Sequence, residues 1–254
     1  MRDLPPGRRP SSLGGASSWT RPIRERLTPA IKALVIAETV MFAFYRLVPQ
    51  TRGLIAEYLA LGPGLFQGQV WQLLTSLFLH TDGLTLILNL IGLWFVGAFT
   101  ERTSGTRRFL VLFFGAGVLS NLAMAGVARL GTYQQAEVFF GASYAILALF
   151  VAYGRTFGRA QTQIFGGLFM QAQNLSLLLV GWSVAVNLIQ RDWAGLAGSL
   201  TAAAAGYFWA GGNLRELFGA LRSWFPRRAR RRYQVLDGGQ SGSSKPTKRK
   251  TYWN

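Results

Sequence analysis

The chain has 254 residues, half of them hydrophobic, with 27 Lys and Arg against 10 Asp and Glu and a formal net charge of +17. Charge is almost confined to the two ends and to short gaps between long apolar blocks, which argues against a soluble helical domain and for a polytopic membrane protein. Cysteine is absent, which excludes disulfides and thiolate metal sites, and no metal or cofactor is expected.

Residues 1–30 are polar, basic and rich in Pro, Gly and Ser, and read as a disordered segment. Met1 to Thr28 has no apolar run, so no cleavable signal is expected there. A span needs roughly twenty apolar residues at about 1.5 Å each. The first is expected from about Ile31 to Val48, interrupted by Glu38 and Arg46. Val70 to Leu79 predicts a helix leading into the second span, Leu84 to Phe99. The third is expected over Phe109 to Val127 and the fourth over Val138 to Tyr153. The fifth lies within Ile164 to Ile189, most clearly Leu175 to Ile189, and the sixth is Trp193 to Gly212. An all-α bundle of six transmembrane helices would then occupy residues 31–213. Residues 214–254 form a basic, largely disordered tail that buries too little apolar area to fold alone.

Lys and Arg set the orientation, because cytoplasmic flanks carry their excess. Arg21, Arg24, Arg26 and Lys32 precede the first span, Arg102, Arg107 and Arg108 follow the second, and Arg155 and Arg159 follow the fourth. Six arginines from Arg222 to Arg232 follow the sixth, while the alternate gaps are poorer. Both termini are therefore expected in the cytoplasm, with the basic ends against anionic lipid headgroups. No base-stacking module accompanies the basic runs, so nucleic acid is not an expected partner.

Within the spans, Gly198, Ala202 and Gly206 form a stripe of small residues that lets another helix approach closely, and Gly141 and Ala142 offer a matching surface. Glu38, Asn89 and Ser143 are polar at membrane depth and are expected to face the bundle or a wet cavity. With the N-terminus inside, Ser143, Asn89, Thr85, His80 and Gly195 all fall toward the outer end.

Several motifs in order resemble the rhomboid family of intramembrane serine proteases. Gln69-Val70-Trp71-Gln72-Leu73-Leu74-Thr75 with Phe78-Leu79-His80 resembles the family's entry to its second span, continued by Asn89, Leu93-Trp94 and Gly97. Glu101-Arg102, Gly105 and Arg108-Phe109 resemble the link into the third span. Gly141-Ala142-Ser143 resembles the nucleophile motif, and the stripe through Gly198, Ala202 and Gly206 resembles the sixth span. The resemblance implies that Ser143 is the nucleophile or its vestige and Asn89 the oxyanion donor. It places the base at Gly195, three residues before the stripe, where this chain has no side chain, and no histidine exists after His80 to restore it. Tyr144 replaces the motif's final Gly, and Thr85 replaces the oxyanion-side His. His80 matches a structural residue of the family, and neither it nor Asp192 is an expected substitute base. Loss of the base costs several orders of magnitude in rate.

The resemblance therefore implies a pseudoprotease in the plasma membrane, a bacterial inner membrane, that binds transmembrane segments of client proteins, as derlins and inactive rhomboids do. An active intramembrane serine endopeptidase with a non-standard base is the alternative, and a membrane scaffold a second one.

Overall fold

Proline suits the first turn of a helix, where its missing N–H has no intrahelical partner to lose. Pro29 accordingly opens α1 (Pro29–Leu47). The computed structural model describes residues 27–130, 139–163, 169–213 and 215–216. The expectations of a disordered N-terminal segment and tail fall largely outside these residues. The chain divides into two units, Met1–Asn213 and Leu214–Asn254, and the helical bundle is the first.

After α1 come α2 (Arg52–Tyr58) and α3 (Gln72–Thr75), the latter running into a 3-10 turn at Ser76–Phe78. The helix expected over Val70 to Leu79 is thus shorter and tighter. Its polar side chains pin a connecting loop instead of extending a span: Gln72 donates to Glu57 O at 2.9 Å and accepts from Gly62 N–H at 3.1 Å. The second span is composite. α4 (Gly83–Gly92) passes through a π-helical turn, Leu93–Gly97, into α5 (Ala98–Ser104). Gly105, at φ +85°, ends it, and α6 (Thr106–Leu130) follows.

The fourth span, α7 (Ser143–Phe157), begins at Ser143 itself, five residues later than Val138, because Phe139 pairs in extended form with Leu61. Val138 lies outside the described residues. The fifth, α8 (Ala172–Gln190), matches the clearer part of the expectation. The preceding stretch does not: β1 (Gln161–Gln163) and β2 (Phe169–Gln171) form a short antiparallel ribbon, and residues 164–168 lie outside the described set. Phe169 and Gln171 of β2 are exposed, while Phe169 and Met170 lend the sequence an apolar look. α9 (Trp193–Trp209) completes the bundle.

Gly83–Ser104, Thr106–Leu130 and Ala172–Gln190 are long and apolar enough to cross a membrane, and Ser143–Phe157 is a shorter apolar helix. The core where the helices meet holds Ile31, Leu93, Val96, Phe109, Phe113 and Leu149, all fully buried. α9 sits against α6 and α7 through its small residues. A Cβ on Gly198 would lie 2.9 Å from Met124 and 3.2 Å from the Tyr144 ring, and one on Gly206 would overlap the Ala148 carbonyl oxygen. The stripe therefore meets α6 at Met124 and α7 from Tyr144 to Val151; of Gly141 and Ala142, which the sequence suggested as its matching surface, Gly141 faces His80.

Glu101 ties the other end together. Its carboxylate accepts from the Ala30 and Ile31 N–H groups at 3.2 Å each, from the Thr28 hydroxyl, and from the Thr106 hydroxyl at 2.7 Å. Two orphan donors at the start of α1 are thus satisfied by a negative group placed where the helix dipole favours one.

Candidate functional site

Ser143 is the first residue of α7 and is exposed. Gly141, two residues before it, adopts φ +102°, a conformation that L side chains rarely take, and its N–H donates to Ser76 O at 2.9 Å. A Cβ there would also stand 3.6 Å from both His80 Nε2 and Leu79 O. Glycine is required by the turn that presents the serine.

The Ser143 hydroxyl donates to Asn89 Oδ1 at 3.2 Å, and Asn89 Nδ2 donates to His80 Nε2 at 2.8 Å. Asn89 and His80 are both buried. Three sequence-expected residues are therefore joined in one chain of hydrogen bonds, with the amide in the middle. Since Nε2 accepts, the imidazole proton sits on Nδ1, which is buried. Burial holds the His80 imidazole below the ordinary histidine range. The imidazole thus stays neutral and faces the amide.

Thr85, at the position of the absent oxyanion-side histidine, is engaged at the helix start. Its N–H donates to Asp82 Oδ1 at 2.8 Å, and the Thr85 hydrogen bonds hold the Asp82 carboxyl below its usual range. At Gly195 the structure has more than a missing side chain. Asp192 caps α9 by accepting from Gly195 N–H at 2.7 Å, and Asn187 Oδ1 lies 2.6 Å from where a Cβ on residue 195 would be. Asp192 Oδ2 overlaps that same position. Tyr144 packs over Gly198 and lies within hydrogen-bonding reach of Asn187 and Ser199.

One supporting residue lies outside the sequence expectations. Asn121 on α6 donates to Leu73 O at 2.9 Å and to Ser76 Oγ at 3.0 Å, which fixes the loop that receives Gly141. Its signal was available, an amide in the middle of an apolar span. Glu38, by contrast, is buried on α1 with neither oxygen hydrogen-bonded, and it joins no site among the described residues. The described residues also hold no cluster of His, Cys, Asp and Glu suited to a metal ion.

A polytopic helical membrane protein with a helix-initial serine hydrogen-bonded to an asparagine on a neighbouring span defines the class. The profile of the rhomboid domain matches residues 67–212, and the chain belongs to the rhomboid family. It is 28% identical to the putative rhomboid protease YdcA of Bacillus subtilis over 135 residues, covering 50% of this chain and 62% of the relative. It is 23% identical over 164 residues to the rhomboid protease GlpG of Enterobacter sp., covering 63% and 55%. Over 81 residues it is 33% identical to the inactive RHOMBOID-like protein 8 of Arabidopsis thaliana, covering 32% and 23%. The chain thus spans less than two thirds of the length of these curated relatives.

Proposed function

We propose that the chain is a rhomboid pseudoprotease that holds transmembrane segments of client proteins without cleaving them. It crosses the plasma membrane, a bacterial inner membrane, six times, with both termini in the cytoplasm against anionic headgroups. The observation that carries this reading is the hydrogen-bond partner of Ser143. A serine attacks a carbonyl only when a neighbouring group takes its proton, and here the hydroxyl is directed at the Asn89 amide oxygen, a negligible base. The chain's one imidazole is spent on the same amide, and position 195 has no base, with the Asn187 and Asp192 side-chain ends standing where one would begin. Of the two N–H groups on Asn89 Nδ2, the candidate oxyanion donor, one is engaged by His80.

A weakly active serine endopeptidase is the second reading, favoured by the exposure of Ser143 at a turn shaped by Gly141 and by relatives whose names are those of proteases. The two are separated by exposing the detergent-purified protein to a serine-directed fluorophosphonate and to a generic transmembrane substrate, beside Ser143→Ala. The expected result is no labelling and no cleavage in either protein, with a transmembrane segment still captured on photocrosslinking. Labelling or cleavage that vanishes with Ser143→Ala overturns it, and failure to capture any transmembrane segment favours a scaffold.

A further inference from the structure

α8 is attached to the bundle unevenly. Its buried residues are Ala172, Leu175 and Ser176 at its start and Asn187 near its end, with only the partly buried Leu179 and Val180 against the core between them. The start is held by close approach, since a Cβ on Gly154 of α7 would overlap the Ser176 hydroxyl. Leu177, Leu178, Trp182, Leu188 and Ile189 face outward. Whatever fastens the far end must act through Asn187 and its neighbours.

Asn187 Nδ2 donates to Ser199 Oγ on α9 at 2.7 Å. Ser199 is fully buried and donates to Gly195 O at 3.0 Å, and Ser183, one turn earlier on α8, lies 2.8 Å from the same hydroxyl. Tyr144 of α7 reaches both Asn187 and Ser199. Asp192 closes the group from the α8–α9 turn, its N–H donating to Asn187 O at 2.9 Å while its carboxylate caps α9. We propose that Tyr144, Ser183, Asn187 and Ser199, braced by Asp192, form a polar clasp that fastens the end of α8 to α7 and α9, and that this clasp and any side chain at position 195 exclude one another.

The exclusion follows from volume. Asp192 Oδ2 overlaps the position of a Cβ on residue 195 and Asn187 Oδ1 lies 2.6 Å from it, so even a methyl group there forces both side-chain ends to turn from the places they hold in the clasp. Displacement breaks the Asn187 bond to Ser199 and the Asp192 cap on α9, and a buried amide left without its partner is costly. In lipid no hydrophobic drive holds one helix to another, so packing and such bonds carry the attachment. Glycine at 195 is the seat of the clasp. The arrangement rests on these contacts alone and stands whether or not Ser143 reacts.

The chain has no cysteine, so a spin-label pair at Leu122→Cys on α6 and Ile189→Cys on α8 can be installed without removing native thiols. Pulsed dipolar spectroscopy in lipid nanodiscs reads the distance. The protein carrying only the labels is expected to give one narrow distribution. Gly195→Ala, Ser199→Ala and Tyr144→Phe should each add a longer-distance population. Gly181→Ala, whose Cβ meets nothing within 4 Å, should change nothing. A broad distribution in the parent, or a Gly195→Ala distribution identical to it, overturns the clasp. Should Gly195→Ala fail to fold, Ser199→Ala and Tyr144→Phe, which remove only an oxygen atom each, decide by the same readout.

Discussion

His80 shows how one residue can be central to a site without doing chemistry in it. Its Nε2 orients the Asn89 amide, and its protonated Nδ1 is buried. Burial penalises the charged imidazolium, and protonation would also set an N–H against the Asn89 Nδ2 donor, so the folded state takes up this proton less readily than the unfolded chain. The unfolded state then binds more protons as pH falls below about 6.5, and stability declines in that direction. We expect the thermal midpoint in detergent to fall between about pH 6.5 and pH 5, with a smaller change in His80→Gln; a parent midpoint flat across that window refutes it. Asp82 acts in the opposite sense and at lower pH. Its depressed carboxyl contributes above the ordinary aspartate value and is lost only as pH falls through its own folded value.

At the level of elements, small residues decide how close the helices come. Gly206 on α9 lies against backbone of α7, and a backbone oxygen cannot rotate away as a side-chain end can. Gly206→Ala should therefore cost about 1–3 kcal/mol or more, whereas Gly126→Ala on α6, where a Cβ meets nothing within 4 Å, should be nearly neutral. Folded fraction after titration with a denaturing detergent checks both, and equal behaviour of the two would refute the packing argument. The stripe was legible in the sequence because spacing alone reports a face. Its partner was not, since any small residue on a neighbouring helix satisfies the pattern and only the assembled bundle selects Ala148 over Gly141. The same limit explains the ribbon before α8: hydropathy counts apolar residues but does not tell a span from an exposed strand with Phe and Met in it.

Across the whole molecule, the motif order from Gln69 to Gly206 revealed the bundle, because each motif marks a junction between helices that the fold must make. The Ser143–Asn89 pairing was legible for the same reason, while the capture of Asn89 by His80 and the filling of the Gly195 site were not, being outcomes of side-chain volume in three dimensions. Orientation is open to direct measurement. Leu130, strongly exposed at the end of α6, and Ala160, exposed after α7, should face opposite sides of the membrane. In intact cells Leu130→Cys should react with an impermeant maleimide, and Ala160→Cys only after lysis; the reverse pattern inverts the topology.

The π-helical turn at Leu93–Gly97 has a consequence for how one span serves both ends of the bundle. Asn89 and Glu101 are twelve residues apart. At about 100° per residue, a regular α-helix would turn them about 120° away from each other. A π turn absorbs one residue, leaving eleven effective steps and an offset of about 20°. The amide that meets Ser143 and the carboxylate that caps α1 are thereby brought into phase along a single helix. A shorter and more regular span would satisfy either end, but not both at once.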